Sequence, residues 1–305
     1  MTITDDEIRS LRDVGHLLVA DLLSSREVAA CRRELLDHFP TCDELLADPD
    51  RFAEFAKAAF FPYAGPTLNW ASTHPTLIDL VERVLGSDDV RIGDAVLQAK
   101  YGRLTGGGRD QALHNDAWEG GSLIYPAESG LYQRVFAIVY LTDVTEDLAP
   151  TYVVPRSVAE DLPLITEDGL ASYSRDAYPR LYEAEKPIMA RAGSALITMG
   201  RTIHRGSAMR AQRGHRFALF MNFHAAAATW QRSRTFVSLP GAPEGPAARR
   251  FMADSTPKQR QLFGFPPPGH AYWTDETIRG ITGIYPDMDV TPYAQSARVT
   301  GRSTG

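Results

Sequence analysis

The first 86 residues alternate between helical and strand-like hydrophobic patterns. The segment TDDEIRSLRDVG predicts a helix, because Thr4 can cap it, acidic residues fill its first turn and Gly15 can end it. The apolar run HLLVADLL predicts a short buried strand, and SSREVAACRRELLDHF predicts a second capped amphipathic helix. A third helix is predicted from Pro75 to Leu85, again followed by a glycine.

After Gly86 the pattern changes to short runs rich in β-branched and aromatic residues, separated by Gly, Pro, Asp or Ser. The predicted strands are VRIGDAVLQAKYG, RVFAIVYLTDV, TYVVPRS, KPIMARAGSALITMG and HRFALFMNFHA. Many short strands with turn signals between them favour a β-sandwich or barrel. Because helices come first and strands later, we predict an antiparallel β core with flanking helices, and not alternating βαβ units.

The segment from about residue 231 onward is rich in proline and predicts a cap over the core. Its TDETIRGI predicts a short helix with Thr274 as N-cap, and Tyr272 and Trp273 are predicted to anchor the segment. No repeat, low-complexity run or linker divides the chain. We therefore predict a single domain over residues 1–305, made of a helical support at 1–86, a β core at 87–230 and a C-terminal cap at 231–305.

Composition excludes several classes of protein. The 305 residues, of which 44% are hydrophobic and 23% charged, have the makeup of a globular protein with a large core. The formal net charge of −6 argues against electrostatic binding to nucleic acid, and no apolar run is long enough to predict a membrane span. The polar start MTITDDEIRS lacks the pattern of a secretory signal, and Cys31 and Cys42 are too few for a disulfide scaffold. A cytoplasmic protein is the expectation.

The segment LHNDAW carries the first candidate for chemistry. Residues two apart in a strand point to the same side, so His114 and Asp116 can hold one metal ion together. A third ligand is expected from another strand, and His204 is the candidate because it follows a buried strand in a polar, glycine-containing bend. Two histidines and one carboxylate are the ligands of non-haem Fe(II) oxygenases. A hydrolytic zinc site can use the same set, and a His-x-Asp segment also arises often by chance, so these alternatives stay open.

In the order and spacing of these segments the chain resembles the phytanoyl-CoA dioxygenase-like family of Fe(II)- and 2-oxoglutarate-dependent oxygenases. The resemblance covers most of the chain, from IRSLRDVGHLLVADLLSSREVAACRREL through LHNDAW and LAPTYVVPRSV to RAGSALITMGRTIHRGSAM and RGHRFALFMNFH. It implies a double-stranded β-helix, a cupin-like jelly-roll barrel, which agrees with the strand pattern. It also implies that His114, Asp116 and His204 are the catalytic iron ligands.

The resemblance further implies residues for the co-substrate, 2-oxoglutarate. The family places an arginine about a dozen residues past the last histidine, where it grips the distal carboxylate through two parallel hydrogen bonds. Arg216 stands twelve residues past His204, and Arg213 is the alternative because the bend HRGS is one residue longer than the commoner form. Ser207 resembles a residue that supports the same carboxylate, and Gln98 resembles a polar position that often faces the co-substrate.

The reaction implied by the resemblance is hydroxylation of an unactivated C–H bond, with release of succinate and CO2. Desaturation, ring closure and epimerisation stay open, whereas halogenation is disfavoured because halogenating relatives replace the carboxylate that Asp116 supplies. The implied substrate is a small molecule, such as a secondary metabolite, a lipid-like acid or an amino-acid derivative. Trp118 and Asn222 are the candidate substrate contacts. His224 shares a strand face with Asn222 and is predicted to be a hydrogen-bonded core histidine.

Two other functions stay open at this point. A cupin-like metal enzyme that uses no keto acid predicts that Arg216→Ala leaves activity largely intact. A non-catalytic ligand-binding barrel predicts that ligand affinity survives metal removal and that no succinate forms. The expected partners are therefore a small-molecule substrate, 2-oxoglutarate and dioxygen, with neither nucleic acid nor membrane, and the sequence predicts no oligomeric state.

Overall fold

The computed structural model describes residues 3–52, 57–105, 108–116, 131–167, 171–236 and 245–295. Within these ranges the helices are α1 Asp5–Val14, α2 Ser25–Leu35, α3 Cys42–Ala47, α4 Pro66–Ser72, α5 Pro75–Leu85, α6 Arg156–Ala159, α7 Pro179–Ala184, α8 Pro246–Asp254, α9 Pro257–Gln261 and α10 Asp275–Ile284. The strands are β1 His16–Val19, β2 Ala58–Phe60, β3 Val90–Tyr101, β4 Leu113–His114, β5 Arg134–Tyr140, β6 Thr151–Val153, β7 Ser172–Tyr173, β8 Lys186–Ile188, β9 Ala195–Met199, β10 His204–Gly206 and β11 His215–Ala225.

The three helices predicted in the N-terminal segment are present as α1, α2 and α5, and α3 and α4 are additional. Thr4 caps α1 in a reciprocal capping box with Glu7, and Gly15 ends the helix in the left-handed conformation at φ 93°. Strand β1, however, is shorter than the apolar run HLLVADLL. It ends at Val19 because Asp21 adopts φ 51°, a left-handed conformation that does not continue a strand.

Two antiparallel sheets form the core of the structure. The larger sheet has the strand order β1-β9-β5-β11-β3-β2, and the smaller has the order β7-β4-β10-β6-β8. Strand β11 lies in the middle of the larger sheet and pairs along its length with β3 and along most of it with β5. This arrangement of two facing antiparallel sheets with flanking helices confirms the predicted mainly β fold class.

The predicted strand KPIMARAGSALITMG is two strands in two different sheets. Strand β8 belongs to the smaller sheet and β9 to the larger one. Gly193, at φ 96°, makes the turn between them, and its carbonyl accepts a hydrogen bond from the Leu23 amide. A side chain at this glycine would meet the Leu23 carbonyl oxygen at 2.5 Å, so the crossing between the sheets requires glycine.

One hydrophobic cluster runs through the N-terminal, central and C-terminal segments. It includes Leu11 and Leu85 from the helices, Leu219 from β11, and Phe251 and Phe263 from the C-terminal segment. A single continuous core is what one domain requires, and it supports our proposal that residues 1–305 form a single domain.

The C-terminal segment packs in this cluster with the apolar face of β11. Trp273 is 4% exposed, and its indole nitrogen donates to the Pro267 carbonyl at 2.9 Å, so it anchors the segment as predicted. Tyr272 is 42% exposed and contributes less to this packing. Thr274 caps α10 as predicted.

Candidate metal centre

Strands β4 and β10 bring three metal-binding side chains together on the smaller sheet. His114 and His204 are directly paired across the two strands, and Asp116 follows β4 by two residues. One ligand atom from each lies within 4.8 Å of the others. Asp116 is fixed by its own amide, which donates to the Gly200 carbonyl at 2.8 Å. Within the described ranges, these residues form the only such group of three.

The two histidine rings are held in the same tautomer by local backbone. Nδ1 of His114 lies 2.9 Å from the Ala112 carbonyl oxygen, and Nδ1 of His204 lies 2.9 Å from the Thr202 carbonyl oxygen. A carbonyl can only accept, so each Nδ1 carries hydrogen and each Nε2 keeps its lone pair for a metal. Nε2 of His204 is 3.6 Å from a carboxylate oxygen of Asp116. Burial, and then the neighbouring His204, lower the pKa of His114, which favours the neutral ring that a metal needs.

Asn115, between the two first ligands, points away from them. Its side-chain nitrogen donates to the Leu164 carbonyl at 2.9 Å and contacts the Tyr173 hydroxyl at 2.8 Å. These bonds hold Asn115 just after β4, on the side opposite to its neighbours His114 and Asp116. Two imidazole nitrogens and one carboxylate oxygen form a donor set that would suit Fe(II).

A cavity of about 340 Å³ lies between the two sheets, with the three ligands in its wall. The larger sheet supplies an apolar stretch of the wall through Val96, Phe136, Ile138, Leu196 and Phe220. Polar and charged side chains are gathered at its two ends. We call these the cationic end, defined by Lys100 and Arg216, and the paired end, defined by Asp94 and Asn222.

Arg216 is the arginine that faces the cavity, and Arg213 does not. Arg216 is 3% exposed, donates from Nη1 to the Ala149 carbonyl and has no hydrogen-bond partner at Nε. The pKa of its guanidinium is lowered by burial. Arg213 lies outside, with a side chain 66% exposed and 3.7 Å from the Asp43 carboxylate. The geometry therefore favours Arg216 for an anionic group inside the cavity.

The other predicted co-substrate residues lie at the same end. Gln98 lines the cavity two residues before Lys100 on β3. Ser207 is buried behind the lining, and its hydroxyl donates to the Pro150 carbonyl at 2.7 Å. A hydroxyl has one hydrogen to donate, so in this position Ser207 has none left for a carboxylate. Its backbone carbonyl instead accepts from Nζ of Lys100 at 2.8 Å.

Polar groups at the paired end satisfy one another. Asn222 lines the cavity and accepts two hydrogen bonds from Arg134, at 2.7 and 3.0 Å. Asp94, opposite it on β3, forms a salt bridge with Arg234 at 2.8 Å. A side chain at the neighbouring Gly93 would lie 2.0 Å from the Asn222 oxygen, so glycine is what lets this asparagine approach.

His224 is hydrogen-bonded inside the core. His224 is 1% exposed, with Nδ1 2.9 Å from the Ala225 carbonyl oxygen and Nε2 2.8 Å from the Ser233 hydroxyl, and it does not line the cavity. Trp118, the candidate substrate contact, lies outside the described residues. Sequence reasoning missed Lys100 and Asp94, although strand periodicity from Gln98 could have found both, since residues 94, 98 and 100 share one face of β3.

Comparison with known families shows the family of this chain. A family model described as phytanoyl-CoA dioxygenase matches residues 11–218, which is more than half of the chain and includes all three candidate ligands and Arg216. The chain belongs to the phytanoyl-CoA dioxygenase family. The predicted family is thereby confirmed, and with it the enzyme class: the chain is an iron- and 2-oxoglutarate-dependent oxygenase.

Several solved structures share the fold of this chain. The epimerase SnoN in complex with Fe3+, alpha ketoglutarate and nogalamycin RO is 19% identical, with 73% of this chain and 83% of SnoN covered and a TM-score of 0.53. HygX from Streptomyces hygroscopicus with nickel and 2-oxoglutarate bound is 18% identical, with 74% and 88% covered and a TM-score of 0.53. The apoform of EctD from S. alaskensis is 19% identical, with 74% and 78% covered and a TM-score of 0.53. These similarities confirm the predicted jelly-roll fold.

A search of the curated proteins finds no match to this chain. Among the described helices, none has both the length and the apolar character needed to cross a membrane.

Proposed function

We propose that this phytanoyl-CoA dioxygenase family member hydroxylates an unactivated C–H bond of a small molecule and converts 2-oxoglutarate to succinate and CO2. The observation that carries the proposal is one cavity that joins two features. His114, Asp116 and His204 converge in its wall, and the buried, incompletely paired Arg216 lies at one end. A metal site alone suits many reactions, but a metal site beside a buried guanidinium suits a carboxylate-bearing co-substrate.

Each group of residues has a separate task in this reaction. The three ligands hold the metal from one side, and the carbonyls of Ala112 and Thr202 keep the two imidazoles oriented. When bound, Fe(II) and 2-oxoglutarate supply the activation of dioxygen. Arg216 binds the distal carboxylate and thereby orients the co-substrate along the cavity.

The remaining wall is suited to a substrate with a hydrocarbon portion. Phe136, Ile138, Leu196 and Phe220 give the cavity an apolar surface, which excludes water from the reacting bond. Because the cationic end is taken by the co-substrate, we place the substrate toward the paired end, where Asn222 and Asp94 lie. Contact with Trp118 stays a prediction.

Similar structures support a small-molecule substrate without fixing the reaction. SnoN is an epimerase and SnoK a carbocyclase, and both belong to nogalamycin biosynthesis. Hydroxylation, ring closure and epimerisation differ in what happens after hydrogen is removed from carbon, so product analysis must distinguish them. A secondary metabolite, a lipid-like acid and an amino-acid derivative are the substrate classes to test, and a cytoplasmic location stays a prediction.

The test begins with the protein under anaerobic conditions, titrated with Fe(II) and 2-oxoglutarate. We expect the weak visible charge-transfer band of a keto acid chelated to Fe(II), and we expect His204→Ala to lose it. His270→Ala, which changes an exposed histidine far along the chain, is the matched control and should keep the band. A folded native protein that binds Fe(II) but gives no band contradicts the use of 2-oxoglutarate.

The second stage is aerobic turnover with a metabolite panel. Succinate formation that depends on one panel member, with a gain of one oxygen in that compound, supports hydroxylation. Succinate formation with a loss of two hydrogens or with no change in mass instead indicates desaturation, ring closure or epimerisation.

A further inference from the structure

Lys100 and Arg216 stand directly opposite each other on neighbouring strands. They are partners in the register of β3 and β11, and both line the cavity, so their side chains share one face of the larger sheet. Like charges that face each other across paired strands destabilise a sheet. This cost is higher inside a cavity than at the surface, because little water is present to screen the repulsion.

Neither cation has an acidic partner within the part of the chain that the structure describes. Arg216 makes one hydrogen bond, to the Ala149 carbonyl, and Lys100 makes one, to the Ser207 carbonyl. The carboxylate of Asp110 acts on Lys100 electrostatically, but it is engaged with Arg205 at 3.1 Å. A buried guanidinium and a half-buried ammonium without a counter-ion indicate that an anion belongs between them.

The backbone around the two head groups ties them to one small region. Ser207 accepts from Lys100 through its carbonyl and donates through its hydroxyl to Pro150, and Arg216 donates to the adjoining Ala149. These hydrogen bonds hold the Lys100 ammonium and the Arg216 guanidinium in place, and each group still has N–H donors without a partner among the described residues. The ammonium has three N–H groups and Ser207 takes one, and Nε of Arg216 has no partner.

We propose that Lys100 is a second carboxylate-binding residue of the co-substrate site, which holds the distal carboxylate of 2-oxoglutarate together with Arg216. The proposal rests on the proposed function, since it concerns the same co-substrate. Ser207 then acts through its carbonyl as a positioning residue for Lys100. Burial and the Arg216 guanidinium lower the pKa of Lys100 to about 8, so the ammonium is still charged at neutral pH.

Two cations on one carboxylate make the site selective for dicarboxylate keto acids. 2-Oxoglutarate and 2-oxopentanoate chelate a metal through the same keto acid group, but only 2-oxoglutarate carries the distal carboxylate. Removing Lys100 should therefore weaken one ligand and spare the other. A merely structural role of Lys100 would weaken both alike.

The experiment measures the affinity of the Fe(II)-loaded protein for both keto acids anaerobically, through the charge-transfer band. We expect Lys100→Met to raise the Kd for 2-oxoglutarate about 10- to 50-fold, in line with the loss of a charge-assisted hydrogen bond, and to change that for 2-oxopentanoate less than about twofold. Lys100→Arg keeps the charge and should stay within about threefold of the native Kd. Lys186→Met, an exposed lysine on β8, is the matched control and should change neither Kd.

Several results separate this inference from the proposed function. A native protein with no band for either keto acid overturns the proposed function. A native band for 2-oxoglutarate with an unchanged Kd in Lys100→Met, or an equal loss for both keto acids, overturns the role of Lys100 alone. The double variant Lys100→Met/Arg216→Met should lose less than the product of the two single effects, since both residues act on one carboxylate.

Discussion

The two ends of the cavity both carry charged side chains, but they differ in whether the protein supplies partners for those charges. At the paired end, Asp94 is neutralised by Arg234 and Asn222 accepts from Arg134, so polar groups facing the cavity already have partners from the protein. At the cationic end, Lys100 has only a backbone carbonyl as its partner. Both ends carry charge inside the cavity, but only at the paired end do the described residues of the protein supply the opposite charge.

This difference supports our proposal that the co-substrate binds at the cationic end. A buried charge without a counter-ion destabilises the free protein, and it is retained where a ligand supplies the opposite charge. A buried charge that the protein itself pairs contributes to the fold and leaves little net charge for a ligand. Substitutions at the two ends should therefore separate binding from stability.

The largest effect is expected at Arg216. Arg216→Met should raise the Kd for 2-oxoglutarate about a hundredfold, which corresponds to about 2.7 kcal/mol, because the main carboxylate-binding group is lost. Thermal unfolding of the ligand-free protein should change little or shift upward, since a buried, unpaired cation has been removed. The measurements are a keto acid titration and a thermal melt of the same samples.

Arg213→Met is the matched control for that substitution, because its side chain is 66% exposed outside the cavity. It should leave both the Kd and the melting temperature unchanged. If Arg213→Met weakened 2-oxoglutarate and Arg216→Met did not, the assignment of the co-substrate arginine would be reversed.

Arg234 should give the opposite result at the paired end. Arg234→Met leaves the Asp94 carboxylate without its cation, and we expect the free energy of unfolding to fall by about 2 kcal/mol, with partial exposure of the pair reducing the effect. The Kd for 2-oxoglutarate should change less than about threefold, since this end does not hold the co-substrate. Chemical denaturation measures the first quantity and the keto acid titration the second.

The surface pair of Arg9 and Asp6 provides the comparison for this loss of stability. Both side chains are more than two-thirds exposed, so Arg9→Met should have no measurable effect on unfolding. A tenfold weakening of 2-oxoglutarate by Arg234→Met would instead show that the paired end also contributes to co-substrate binding.

Local signals in the sequence predicted those parts of the fold that local interactions determine. Helix α1 has a capping box and a C-terminal glycine, and both operate in the structure. Helix α4 follows Gly65, which has no side chain to cap it, and its Thr67 and Leu68 amides donate to the Glu34 carboxylate of the separate helix α2, so no capping box marked its start. Helix α3 has a capping box at Thr41, but its six residues are too few for a periodic pattern to stand out.

The candidate site likewise contains residues that the sequence predicted and a residue whose role depends on contacts distant in the chain. The two-residue spacing of His114 and Asp116 put them on one side, and the polar bend after a buried strand made His204 a candidate. The resemblance supplied Arg216. Strand periodicity puts Lys100 on the same face of β3 as Gln98, but it does not show that Lys100 lies opposite Arg216, because that depends on the pairing of β3 with the distant β11.

The hydrogen bond of the Ser207 hydroxyl also depends on a residue distant in the chain. Its sequence context suggested direct support of the carboxylate, whereas its hydrogen bond goes to Pro150, 57 residues away in the chain. No local pattern encodes where that carbonyl lies.

The smallest expected effect is on stability at Lys100, and it tests whether its charge is kept for binding. In the absence of metal and keto acid, Lys100→Met should be more stable than the native protein by about 1 kcal/mol at pH 7, because burial and Arg216 disfavour the charged lysine. The folded-state pKa, about 8, lies below the ordinary value of 10.5, so between these values the unfolded chain binds more protons. Stability of the native protein should therefore rise with pH across this interval, and the advantage of Lys100→Met should shrink there and be full below pH 8.

Adding Fe(II) and 2-oxoglutarate should reverse the order, because the native protein binds the co-substrate more tightly and gains more from it. Lys186→Met, measured at each pH, controls for the loss of a lysine at the surface. If Lys100→Met is less stable than the native protein without ligands, the ammonium is a structural group and the cationic end is complete by itself. If it is more stable without ligands and less stable with them, the protein gives up stability at Lys100 in return for affinity, which is the property that distinguishes this end of the cavity from the other.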